Sequence, residues 1–234
     1  MKIRRISRIG AAVTALLLAA VWPGSGTPEA TAQPCPDVDV VFARGTGEAP
    51  GVGGIGQAFV DAVRAQAAGR SVGVYPVNYP AGDNFFDRAA FARTVVDGVR
   101  DAADHVQATA ANCPDTRIVL GGYSQGAVVA GFVTAAEVPA GVPADAVPEP
   151  MPPEVADHVA AVVLFALPSA EFMQQFGAPP VAIGPRYADE TLQLCAAGDT
   201  ICSGAPGGSA TLAHALYAVD GSVNEAAAYV VARL

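Results

Sequence analysis

The chain has 234 residues, 52% hydrophobic and 15% charged, with 13 basic and 22 acidic side chains for a net charge of −9. So apolar a composition excludes a disordered polyelectrolyte. Beyond residue 32 the basic side chains are nine scattered arginines facing 21 carboxylates, so no basic face is left to bind nucleic acid.

In chain order, a basic opening (Lys2, Arg4, Arg5, Arg8) precedes an apolar run from Ala11 to Trp22 and a small-residue site at Ala30-Thr31-Ala32. The run is too short for a comfortable bilayer span, and the whole reads as a secretory signal peptide over residues 1–32. The mature chain, 33–234, is expected to be one domain, extracellular or associated with the cell envelope, monomeric and without a transmembrane span.

Short β-branched runs then alternate with longer Ala-rich stretches. Strands are expected in DVVFARG (39–45), VGVYPVNY (72–79), RIVLGGY (117–123), HVAAVVLFAL (158–167) and TLQLCA (191–196). Between them, GIGQAFVDAVRAQAA (54–68), FARTVVDGVRDAADHVQATAA (91–111) and GAVVAGFVTAAE (126–137) carry apolar residues at helical spacing. The last segment, SVNEAAAYVVARL, offers Ser222 as an N-cap with Glu225 three residues on, the spacing of a capping box. Strands apolar throughout, each followed by a helix or a long connection, imply a mostly parallel sheet covered on both faces: a three-layer α/β domain. The Pro-rich stretch VPAGVPADAVPEPMPPE (138–154) is expected to be an irregular surface connection, and no insertion is long enough for a separate lid domain.

Four cysteines behind an export signal suggest disulfides. Three pairings are possible; the short interval favours Cys195 with Cys202, which leaves Cys35 with Cys113. Close CxxC pairs, as a zinc site would use, are missing, and no metal is expected.

Gly122-Tyr123-Ser124-Gln125-Gly126 is G-x-S-x-G between a strand pattern and a helix pattern, where a nucleophile elbow needs it. Ser124 as a plain helix N-cap is the competing reading. A serine hydroxyl needs a base, and the base an orienting acid, in the chain order Ser, acid, His. His158 opens a strand, away from the carboxyl ends where such sites gather, which leaves His214 as base and Asp199, inside the Cys195–Cys202 loop, as acid. The amide of Gln125 and the amide and hydroxyl of Thr46, in the loop after the first strand, are the candidate oxyanion donors.

With these residues in place, the chain resembles the cutinase family of secreted serine esterases, in particular its mycobacterial and actinobacterial members. The resemblance runs through CPDVDVVFARGTGE, YPAGDNFF, CPDTRIVLGGYSQGA, AAVVLFALP, YADETLQLCAAGDTIC and LAHALY, essentially all of 33–234. It implies an α/β-hydrolase fold without a full lid, a Ser124-Asp199-His214 triad, Thr46 and Gln125 as the oxyanion hole, and Asn84 as support for the Thr46 hydroxyl. It also implies the disulfides Cys35–Cys113 and Cys195–Cys202, and substrate contacts from Phe85, Phe86 and Leu212. The expected reaction is hydrolysis of carboxylic esters with apolar acyl chains, lipids included, through an acyl-enzyme and with no cofactor. The alternatives are a phospholipase, thioesterase or envelope acyltransferase with the same triad, and a non-catalytic secreted binding protein on the same fold. The Pro-rich 138–154 connection and a longer Asp199–His214 interval depart from the fungal members, so polymer hydrolysis does not follow.

Overall fold

The computed structural model describes residues 34–234; the signal-peptide expectation lies outside the described residues. Five parallel strands form one sheet: β1 (Val38–Ala43), β2 (Val72–Pro76), β3 (Arg117–Tyr123), β4 (Val159–Phe165) and β5 (Thr191–Leu194). Their order is β2-β1-β3-β4-β5. The chain moves to one side of β1 to make β2 and returns to the other side for β3. The carboxyl ends of β1 and β3 therefore border the crevice where the direction of winding reverses, the place such sheets reserve for a site.

Every residue of β1 and of β4 is buried because both sheet faces are covered. Val38, Val40 and Phe42 point into one apolar layer, closed by α1 (Gly53–Gln66) and the C-terminal α5 (Ser222–Val231). Val41 and Ala43 alternate into the other layer, closed by α2 (Arg88–Asn112) and α3 (Gln125–Val133). All of α3 but Phe132 is buried, which explains its apolar residues on every side. Among the described residues no helix is long and apolar enough to cross a membrane.

Two local expectations are corrected and one element is added. At the last helix the N-cap is Gly221, in the left-handed region at φ 100°, and no side chain caps it. Asp220 has taken over locally by accepting from the Ser222 amide at 2.9 Å, so the capping box does not form. α2 begins at Arg88, before the expected Phe91, because the Asp87 carboxylate accepts from Ala90 N at 2.9 Å. A short helix α4 (Ala170–Gln175), which sequence periodicity was too brief to reveal, is capped by Ser169 Oγ on Phe172 N.

The disulfide Cys35–Cys113 ties the strand-entry segment to the end of α2, and Cys195–Cys202 closes the loop beyond β5.

Candidate active site

Ser124 stands between β3 and α3 with φ 54° and ψ −116°, a conformation that costs a residue with a β-carbon on the order of 1–3 kcal/mol. The flanking glycines make that turn possible. A β-carbon on Gly122 would overlap the backbone of Gly126, and one on Gly126 would overlap the carbonyl of Ala43 in β1. The Ser124 amide donates to Phe165 O of β4 at 2.9 Å, which pins the turn to the sheet. Ser124 occupies the N-cap position of α3, yet its side chain makes no capping bond.

Its hydroxyl meets His214 Nε2 instead, at 3.0 Å. On the other side of the ring, Nδ1 lies 2.9 Å from Asp199 Oδ2. A carboxylate only accepts, so Nδ1 carries the proton and Nε2 presents its lone pair to Ser124. Asp199 is fully buried, a costly place for a charge unless it is well hydrogen-bonded. It accepts two further bonds, from Tyr217 Oη at 2.8 Å and from Ile201 N at 3.0 Å. Tyr217 is itself oriented by Ala196 N, which donates to its oxygen at 2.9 Å. Burial raises the Tyr217 hydroxyl above the ordinary phenol range, with the Asp199 carboxylate adding to the rise, so it stays a neutral donor. The loop that carries His214 is held by Tyr123, whose hydroxyl donates to His214 O at 2.7 Å.

Gln125 and Thr46 both reach the same hollow as Ser124. The Gln125 amide opens α3 and so has no acceptor within the helix. Neither the amide nor the hydroxyl of Thr46 bonds to another described residue. The Thr46 turn is braced by two groups that sequence reasoning did not single out. Glu48 accepts from Gly45 N at 2.6 Å and from Gly54 N at 2.8 Å, linking the turn to the start of α1. Arg44 is buried and donates to Glu48 O at 2.8 Å, Tyr79 O at 2.6 Å and Val77 O at 3.4 Å. No helical or strand periodicity marks a buried arginine that bonds only to backbone carbonyls, so its partners were invisible in the chain.

Beside Ser124 opens an apolar hollow of about 510 Å³, walled by α2, α3, the Pro-rich segment and the residues that follow α4. Phe85 is on its wall and packs 4.8 Å from Phe91 and 5.6 Å from Phe176, centroid to centroid. The other two expected substrate contacts lie outside this wall: Phe86 is fully exposed and Leu212 is 75% exposed. Asn84 lies at the entry to α2. It is exposed, its Oδ1 accepts from Asp87 N at 3.3 Å as the chain turns into α2, and it makes no bond to Thr46. Gln125 Nε2 holds the preceding segment instead, donating to Gly82 O at 3.1 Å. The Pro-rich segment holds no α-helix or strand, only the 3-10 turn Ala144–Ala146 and the start of a second at Pro153, and it helps to enclose the hollow.

Among the described residues no group of three or more His, Cys, Asp or Glu side chains is placed to hold a metal ion.

A cutinase family model matches residues 34–234. The chain belongs to the cutinase family. Its relatives include the probable carboxylesterase Culp7 of Mycobacterium tuberculosis, 58% identical over 169 residues that cover 72% of this chain and 88% of that one. Phospholipase Culp4 of the same organism is 43% identical over 231 residues, covering 99% and 92%. Among solved structures, a Trichoderma reesei cutinase in complex with a C11Y4 phosphonate inhibitor matches with a TM-score of 0.62 at 32% identity, covering 85% of this chain and 77% of that one. The five-stranded parallel sheet with helices on both faces is thus the cutinase form of the α/β-hydrolase fold.

Proposed function

We propose that this cutinase-family protein is an exported, monomeric serine carboxylic ester hydrolase with Ser124 as nucleophile, His214 as base and Asp199 as the acid that orients it. The observation that carries the reading is the unbroken chain from the Asp199 carboxylate through His214 to the Ser124 hydroxyl, at 2.9 and 3.0 Å, at the mouth of an apolar hollow. His214 Nε2 takes the hydroxyl proton as Ser124 Oγ attacks the ester carbonyl carbon. The carbonyl π electrons move onto oxygen, and the Gln125 and Thr46 amides, with the Thr46 hydroxyl, receive that oxyanion. Asp199 stabilises the imidazolium without itself being protonated. When the tetrahedral species collapses, His214 returns the proton to the departing alcohol oxygen and Ser124 holds the acyl group. A water deprotonated by His214 then releases the acid. No step requires a metal or an organic cofactor.

The test is hydrolysis of p-nitrophenyl butyrate by the oxidised protein and by Ser124→Ala. The expected outcome is a fall in kcat of roughly 10⁴-fold or more, the scale seen when a triad member is removed. A folded wild type no faster than the variant leaves a binding protein on the same fold as the surviving reading.

A second reading within the same chemistry has support of its own. A phospholipase is among the relatives that span nearly the whole chain, and the hollow beside Ser124 is apolar. Release of fatty acid from phosphatidylcholine vesicles, compared with p-nitrophenyl butyrate under the same conditions, separates the two.

A further inference from the structure

The hollow beside Ser124 has a shape as well as a volume. On α2 its wall is made by Arg88, Ala92, Val95, Val96, Val99 and Ala103, one helical face. On α3 it is made by Gln125, Val128, Phe132 and Val133, again one side of the helix. The hollow is therefore a furrow along two neighbouring helices. Its outer side is closed by the Pro-rich strap, with Val142, Pro148 and Met151 among the closing residues, and by Phe172 and Phe176. The charged residues on its wall, Arg88, Glu137 and Glu149, are all exposed, so charge sits at the rim, and apart from Thr46, Ser124 and Gln125 the rest of the lining is apolar.

Three quantities bear on what fits. The wall follows α3 from Ser124 to Val133, nine residues or about 14 Å at the helical rise. An extended chain advances about 1.2 Å per bond, one third of the span of a residue, so the furrow takes about twelve bonds below Ser124. A methylene occupies about the volume of a water, ~30 Å³, so the 510 Å³ hollow is on the scale of about seventeen carbons.

The furrow also has a direction. Ser124, Gln125 and Thr46 are on its wall, whereas His214 is not. In the proposed reaction the leaving alcohol must take its proton from His214 and so departs on the His214 side. The part of the substrate on the furrow side is the acyl chain.

Building on the proposed nucleophilic role of Ser124, we infer that the furrow between α2 and α3 is an acyl-chain tunnel roofed by residues 138–151, and that the preferred substrates are esters of long-chain fatty acids, about twelve to seventeen carbons by the helical rise and void volume above. The Pro-rich strap, read from sequence as a surface connection, is a specificity element. Its prolines keep it from folding into a regular α-helix, and it crosses the furrow in turns with one short 3-10 segment, Ala144–Ala146.

The experiment measures kcat/KM on p-nitrophenyl esters from acetate to palmitate for the full oxidised protein, for Val99→Trp and for Phe132→Ala. A β-carbon on Gly98 would touch Val129, so Val99 stands about half-way down α3, and an indole there blocks the lower furrow while leaving room for a butyryl group. The wild type is expected to rise with length up to about twelve carbons, by up to about fourfold per methylene. Val99→Trp is expected to lose at least about tenfold more on laurate and longer esters than it loses on butyrate, a difference equal to burial of about two methylenes. Phe132→Ala widens the lower furrow and shifts the optimum to longer chains; if Val99→Trp does not fold, this variant decides. A wild-type optimum at four to six carbons, or variants whose length profiles parallel the wild type, overturns the tunnel while Ser124-dependent butyrate hydrolysis leaves the esterase reading standing. Absence of Ser124-dependent hydrolysis at every length removes the esterase reading itself.

Discussion

Two histidine–aspartate pairs occupy opposite ends of the molecule. At the carboxyl edge of the sheet His214 Nδ1 meets Asp199 at 2.9 Å; near the amino end of β1 His105 Nε2 meets Asp39 at 2.7 Å. Both aspartates are buried. By distance the second pair is the tighter of the two, although it is the less buried. The difference lies in what the rest of each ring faces. His214 turns its free nitrogen to Ser124, at the mouth of a hollow. His105 already spends Nε2 on Asp39, with Thr109 Oγ1 3.3 Å from the same atom, and its ring face is covered by Tyr75, stacked at 3.6 Å. An imidazole with a carboxylate is a structural clamp until its remaining nitrogen has a nucleophile and a substrate-sized space in front of it.

The largest expected contrast comes from replacing each histidine. His214→Ala is expected to lower kcat on p-nitrophenyl butyrate by roughly 10⁶-fold, comparable to loss of a base that acts as a unit with its serine. His105→Gln is expected to leave kcat within about twofold and to cost about 1–3 kcal/mol in chemical denaturation, since it weakens the pairing of a buried carboxylate. A His105 variant that lost activity while keeping its stability would overturn the assignment of that pair as a clamp. The aspartates sharpen the comparison next. Asp199→Asn is expected to reduce kcat by about 10⁴-fold by favouring the wrong tautomer of His214, whereas Asp39→Asn is expected to lower stability and spare turnover.

The disulfides divide in the same way. Cys35–Cys113 encloses a separation of 78 residues and Cys195–Cys202 one of 7, so the chain-entropy account gives about 4.5 and 2.5 kcal/mol respectively. Serine replacement of the first pair is expected to lower the denaturation midpoint more, and replacement of the second to lower kcat more, because Asp199 sits inside the smaller loop. Paired denaturation and turnover measurements on the two double variants check both halves. Smaller still, Tyr217→Phe removes one of three donors to Asp199 and is expected to cost about 1 kcal/mol of stability, with a kcat loss of less than about tenfold.

The smallest effect is a dependence on pH. Burial raises the hydroxyls of Tyr79, Tyr123 and Tyr217 above the ordinary phenol value. A group raised in the folded state contributes its full stability below the unfolded value, about pH 10 for tyrosine, and loses it as pH rises towards the folded one. The thermal midpoint is therefore expected to decline from about pH 10 upward and to decline less steeply in Tyr217→Phe.

How legible the molecule is in its sequence depends on the range of the interaction. The five strands were readable because each is a short run rich in apolar residues, buried on both faces in β1, β3 and β4, and all five fall within two residues of the expected starts. The G-x-S-x-G motif announced its turn because the two close approaches that need glycine are made by the residues flanking the serine. Ser169 ahead of α4 and Asp87 ahead of α2 were local signals of the same kind that a search for long periodic segments passed over. The surroundings of Asn84, Phe86 and Leu212 were not legible for the opposite reason: contacts across space and a side chain's direction at a loop tip are set by the loop's packing.

The sequence by itself determined the parallel three-layer sheet, the strained serine turn and the chain order of serine, acid and histidine, because these follow from periodicity, glycine sterics and local spacing. Only the tertiary structure decided that Tyr217 and Ile201 share the burden of the buried Asp199, that Arg44 and Glu48 brace the Thr46 turn, and that the Pro-rich strap roofs a furrow beside Ser124. Each of these is a meeting of segments far apart in the chain. Composition and spacing do not encode such meetings; they arise when buried polar groups must find partners and apolar faces must be covered once the sheet has formed.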